Sequence, residues 1–171
     1  MRRFWILTLW SLVVMVPFVA CQGYAADEKY TFIDVAKVFD EYQKTKDQDK
    51  ILQEEGEKKE KERQVIVDAI RKMKDELELL SDDAKKTKQE EMNKKVRELQ
   101  DFDLETRREL GEKRRKIVQE IFNDIDQVVQ GFGKRKKLDY ILNDKALLYY
   151  RTDLDITSEI LKELNNNYKK K

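Results

Sequence analysis

The chain has 171 residues, of which 42 % are charged: 36 Lys+Arg against 35 Asp+Glu, with no His, one Cys and one Pro. A zinc enzyme and a triad hydrolase are excluded, because imidazole ligands, a histidine base and, beyond residue 21, any thiol are missing.

The apolar share is concentrated at the start. Met1-Arg2-Arg3 is a positive cap on the apolar run of residues 4–20, and both tryptophans, Pro17 and Cys21 lie nearby. This pattern predicts a secretory signal peptide over residues 1–25. Gly23 and Ala25 sit at −3 and −1 for cleavage before Ala26. Phe18-Val19-Ala20-Cys21 offers an alternative, a lipoprotein box that would anchor the chain through Cys21. Either route places the mature chain outside the cytoplasm, in a bacterial periplasm. No ATP is available there, and no phosphate-binding glycine loop occurs in the sequence. Beyond residue 25 the balance is 34 basic against 35 acidic residues, a net charge of −1. That balance, with export and no obvious stacking platform, argues against nucleic acid as a partner.

Residues 26–46 read as a short strand and helix. Tyr30-Thr31-Phe32-Ile33 is aromatic and β-branched, and Asp34 caps a helix through Val38, Phe39 and Tyr42. Residues 47–132 read as a coiled-coil hairpin. Leu52, Gly56, Lys59, Arg63, Ile66, Ile70, Met73, Leu77 and Leu80 repeat at 4-3 spacing, a heptad seam. Ser81 caps the return helix, in which Met92, Val96, Leu99, Asp103, Thr106 and Leu110 continue the spacing, and Gly131 and Gly133 are expected to stop it. Aligning Leu52 with Leu110, Ile66 with Val96 and Ile70 with Met92 places Lys59 opposite Asp103 and Gly56 opposite Thr106. A 34-residue helix is about 50 Å long, so the hairpin must project as an arm. Residues 133–171 supply the remaining body. Leu138-Asp139-Tyr140-Ile141-Leu142 and Ala146-Leu147-Leu148-Tyr149-Tyr150 read as a β-hairpin turning at Asn143-Asp144. Asp155 caps a final helix with Ile156, Ile160, Leu161 and Leu164. The fold class is α+β, mainly helical. A body so small needs oligomerisation.

Only Ser81 and Ser158 remain as serines after the leader, and neither has a base nearby in sequence. The chain is not an enzyme, and no cofactor or metal is expected. Arg107, Arg108, Arg114 and Arg115 are interleaved with Glu105, Glu109 and Glu112. They read either as a solvated helix face or as client-contacting residues. Lys134-Arg135-Lys136-Lys137 suits a helix C-terminus, with membrane or client contact as the alternative. The polar band of Gly56, Lys59, Asp103 and Thr106 interrupts the apolar seam. It reads either as an arm hinge or as a register-fixing layer.

The mature chain resembles the Skp/OmpH family of periplasmic chaperones for outer-membrane proteins. Phe32-Ile33-Asp34-Val35-Ala36-Lys37-Val38-Phe39 is similar to its opening, Leu138 to Tyr149 to its β-hairpin, and Asp153-Leu154-Asp155-Ile156-Thr157 to the start of its last helix. The resemblance implies a homotrimer with a shared β-barrel, to which Phe32, Ile141, Leu147 and Tyr149 would contribute. It implies arms enclosing a cavity, and an ATP-independent holdase for unfolded outer-membrane proteins. Family members are strongly basic, so the net charge of −1 leaves contact with acidic lipid or lipopolysaccharide open. The competing expectation is a structural coiled-coil envelope protein or lipoprotein scaffold.

Overall fold

The computed structural model describes residues 28–170; the signal-peptide and Cys21 readings lie outside the described residues. In chain order the elements are β1 (Tyr30–Ile33), α1 (Val35–Glu41), α2 (Gln43–Leu77), α3 (Asp82–Lys136), β2 (Tyr140–Asn143) and α4 (Thr157–Lys169). Short 3-10 turns at Asp144–Ala146 and Thr152–Leu154 lie between β2 and α4.

Asp34 caps α1 as its sequence suggests, accepting from the Lys37 N–H at 2.9 Å. The helix breaks at Tyr42, whose backbone turns extended at ψ 128°. Its side chain is buried and points at the core, so it cannot cap α2. The orphan donor at Gln43 is satisfied from far away, by the Asn165 side-chain oxygen of α4 at 2.9 Å. Such a cap is worth about 1 kcal/mol, and here it ties the arm's base to the last helix.

Helices α2 and α3, of 35 and 55 residues, form the antiparallel hairpin. At 1.5 Å per residue they run about 53 and 83 Å. Every predicted seam position on both helices is half-buried, and none is fully buried. A two-helix coil covers each seam from one side only, so this is the expected degree of burial. Ser81 occupies the position before α3, but its side chain makes no capping bond. The two acids of the first turn, Asp82 and Asp83, are what favour the helix start there.

Gly131 and Gly133 do not stop α3, contrary to the sequence reading. Both lie inside the helix, with negative φ. The stop is Lys137, left-handed at φ 54° and ψ 49°, and its N–H closes on the Gly133 and Lys134 carbonyls. Gly133 serves packing instead: a Cβ there would stand 3.3 Å from Ile141 Cδ1.

The core lies where the last turns of α3 meet α1 and α4. Ile33, Val38, Tyr42, Ile121, Ile125, Val128, Phe132, Ile156, Ile160 and Leu164 form one buried cluster. The C-terminal part of α3 thus belongs to the body, and it supplies four of those side chains.

The expected β-hairpin does not form within the subunit. β2 pairs in parallel with β1, Tyr30 beside Tyr140 through Ile33 beside Asn143. After β2 the Asn143 side chain accepts from Lys145 N–H, and Leu147 N–H bonds the Asp144 carbonyl at 2.9 Å. Those bonds wind the chain into a 3-10 turn, and residues 147–150 make no strand pairing with β2. On its other side β1 meets Asp155, with Ile156 N–H donating to the Phe32 carbonyl at 3.0 Å. The Asp155 carboxylate accepts from Thr157 N–H at 2.8 Å, so it does hold the start of α4. The Thr157 hydroxyl in turn accepts from Asp34 N–H at 2.9 Å, joining the starts of α1 and α4.

Candidate functional site on the body edge and the arm

Two surfaces carry exposed apolar groups that a soluble monomer would not need. The first is the segment after β2. Leu148 is fully exposed at 109 % and Tyr149 at 84 %, with Tyr30, Tyr140 and Leu142 exposed nearby. Tyr150 folds over Phe32, ring centroids 4.0 Å apart. Tyr30, Phe32, Leu142, Leu147, Tyr149 and Tyr150 line a groove on the sheet. Among the four residues proposed for the trimer body, Phe32 is buried in the subunit, Ile141 and Leu147 are half-buried, and Tyr149 is exposed. The outer edge of β2 has no strand partner among the described residues, so its backbone groups are free to pair with another chain.

The second surface is the arm. Val65 at 70 % and Leu104 at 71 % are exposed, off the seam. The tip places Leu79, Leu80 and Ala84 around a shallow pocket beside Glu76 and Lys88. Glu76 and Lys88 pair across the hairpin at 2.8 Å. Their hydrogen bond holds the Glu76 carboxyl below its ordinary range and the Lys88 ammonium above its own.

The structure separates the four arginines read as client contacts. Arg108 is engaged by Glu105 at 2.6 Å and Glu112 at 3.8 Å. Arg107, Arg114 and Arg115 have no carboxylate within 4.0 Å among the described residues. Arg107 lies beside a cleft lined by Gly56, Lys59, Asp103 and Thr106, so the interrupted seam does gather in one place.

The expected Lys59–Asp103 pairing is not present. Asp103 accepts from Arg63 Nε at 3.0 Å, one helical turn further along α2. Lys59 instead reaches Glu109 at 3.0 Å and lies over the Phe102 ring at 5.6 Å. The hydrogen bond to Glu109 raises the Lys59 ammonium above its usual range. The cross-helix pairs Glu76–Lys88, Arg63–Asp103 and Lys59–Glu109 are all displaced in the same direction from the expected alignment, so the apolar pairs used to choose it did not fix the charged partners. Lys113 and Glu55 make a further cross-helix contact.

Residues 29–164 match the OmpH family, described as "Outer membrane protein (OmpH-like)". The chain belongs to the OmpH/Skp-like family of periplasmic chaperones. Its fold is similar to the crystal structure of an OmpH-like protein from Caulobacter crescentus CB15, with a TM-score of 0.76 at 14 % identity, over 82 % of this chain and 85 % of that one. An uncharacterized protein of Aquifex aeolicus (strain VF5) is 29 % identical over 117 residues, which is 67 % of this chain and 72 % of that relative. Family membership makes this OmpH-like chain a chaperone and not an enzyme. Among its described residues no cluster of three or more metal-ligating side chains occurs.

Sequence reasoning missed three features of this OmpH-like chain. Asn165 was hidden because its partner is 122 positions away. Lys44 and Asp124, paired at 2.7 Å and both largely buried, lie on different helices in the same way. Tyr42 donates to the same carboxylate at 3.3 Å, and burial, reinforced by Asp124, pushes its phenol well above the ordinary range. The exposed Val65 and Leu104 escaped sequence reasoning as well, although each is a large apolar residue off the 4-3 seam.

Proposed function

We propose that this OmpH-like chain is an ATP-independent periplasmic holdase that keeps unfolded outer-membrane β-barrel proteins from aggregating, as a homotrimer whose arms enclose a cavity. The observation that carries this reading is the combination of an exposed apolar body edge with a long arm bearing exposed Val65, Leu104 and unpaired arginines. The edge supports self-association, and a body joined through it would leave the arms free to surround a client. Many weak apolar and charged contacts hold a mobile chain without selecting one sequence. Arg107 and Arg114 are the proposed client-contacting cations; Arg108 is already engaged, and Arg115 adds charge beside them. Export through a leader cleaved before Ala26 belongs to the same proposal, with an anchor at Cys21 as its alternative.

The test is light scattering of a urea-denatured barrel protein diluted into buffer. One assembly per client should suppress the signal for several unrelated barrel proteins. Arg107→Ala with Arg114→Ala should weaken protection several-fold, most for acidic clients. Undiminished aggregation with every client, or stoichiometric binding to a single folded partner, would replace this reading with a scaffold.

The polar band is proposed as the softest part of the arm. Gly56 costs its helix about 1 kcal/mol relative to Ala, and a Cβ there meets nothing within 4 Å. Gly56→Ala should therefore raise arm stability by about 0.5–1 kcal/mol. It should also slow amide hydrogen exchange around Lys59 and Thr106 while leaving α4 unchanged. Unaltered exchange in the band would make it a register-fixing layer and not a hinge.

A further inference from the structure

The near-zero net charge conceals a segregation of charge between the two flanks of the arm. Along α3, Glu91, Glu98, Glu105 and Glu112 recur every seven residues, so the coiled hairpin keeps them on one flank. The cross-helix pairs Glu76–Lys88 and Lys59–Glu109 mark that same flank, and Glu62 of α2 adds to it. Lys88, Lys95 and Arg108 pair with these four glutamates within the subunit, yet each of the four carboxylate side chains stays about half exposed and can accept a second cation. The opposite flank of α3 reads Arg97, Gln100, Leu104, Arg107, Gly111, Arg114 at 3-4 spacing. Arg97, Arg107 and Arg114 have no carboxylate within 4.0 Å among the described residues, and Arg71 and Lys74 of α2 extend the flank towards the tip.

We propose that in the assembled chaperone neighbouring arms close on each other, the arginine flank of one copy against the glutamate flank of the next. This rests on the trimeric reading above. In a rotationally symmetric ring of parallel arms, each arm turns one flank to one neighbour and the other flank to the other neighbour. Opposite charge on the two flanks therefore makes every arm-to-arm contact attractive at once. Arg107 and Arg114 of one copy stand level with Glu105 and Glu112 of the next, because they occupy the same stretch of the same helix. Exposed ion pairs are individually weak and are screened by salt. The closure is thus reversible, and an entering client that engages the arginines releases it.

Inter-arm distances measure this directly, with spin labels on Lys86→Cys at the tip of a chain that begins at Ala26 and carries no other thiol. Raising salt from about 0.1 M to about 1 M cuts the screening length from about 10 Å to about 3 Å. The mean tip-to-tip distance should lengthen by roughly one helix diameter, about 10 Å. Arg107→Glu with Arg114→Glu should lengthen it at low salt, and adding Glu62→Lys with Glu112→Lys should restore the short distance. Native mass spectrometry of each variant keeps the two ideas apart. A monomeric wild type removes the trimer and the closure together. An intact assembly whose distances ignore salt and charge reversal, or a swap that restores nothing, overturns the closure alone.

Discussion

Replacing Ile160 by Ala is expected to unfold the body at temperatures the wild type survives. Ile160 is 0 % exposed in α4 and belongs to the cluster with Val38, Ile121 and Leu164. Truncating a buried Ile to Ala removes its transfer energy and leaves a cavity, together about 2–5 kcal/mol. In a chain of this length each kcal/mol moves the thermal midpoint by about 2–4 °C. Val65→Ala removes nearly as many carbons but from an exposed site, and should stay within about 0.5 kcal/mol. Circular dichroism melts of the two variants check the contrast. Equal midpoints would mean that the cluster is not what holds the arm's base. The effect should spread to the arm, because Asn165 of the same helix caps α2 and the seam contains no fully buried side chain to hold the helices alone.

Much of this architecture is legible in the sequence because it follows from periodicity. The 4-3 spacing of Leu52 to Leu80 identified the seam, and each of those positions is half-buried. Asp34 and Asp155 were readable as caps because a carboxylate satisfies free helix donors wherever it precedes a helix. What failed was non-local. Gly131 and Gly133 look like a stop, yet nothing in the local sequence says that Ile141 needs the space beside Gly133. The residues 138–150 alternate like a hairpin, but β1 takes one edge of β2, and a 3-10 turn diverts the second half before it can take the other. The body is also larger than the sequence suggests, because Ile121 to Phe132, within the predicted arm, supply much of its core. At the candidate site, the sequence found the charged and polar residues but not their partners. Arg63 and not Lys59 takes Asp103, one helical turn from the alignment that the apolar pairs suggest.

Leu148→Asp combined with Tyr149→Asp should abolish assembly while leaving the subunit folded. Both side chains are almost wholly exposed in the single chain, so their loss removes no contact from the core, and charge is tolerated there in the monomer. Burying one large apolar side chain is worth about 1.5–3 kcal/mol. If the assembly buries two such residues in every subunit, they govern a large part of its association energy. An aspartate buried in their place would add an unpaired charge, which is costlier than the lost packing. The free edge of β2 and the diverted segment 147–150 together resemble a strand pairing left open, and a neighbouring subunit is the partner proposed to close it. Sedimentation velocity should show the wild type as a trimer and the variant as a monomer. Its helical content should remain close to wild type, since α1, the end of α3 and α4 keep their packing. Protection of clients should vanish with assembly, because a single arm encloses nothing. If the variant still sediments with the wild type, the exposed edge is not the assembly surface. If it becomes monomeric yet protects clients fully, the cavity is not the means of protection.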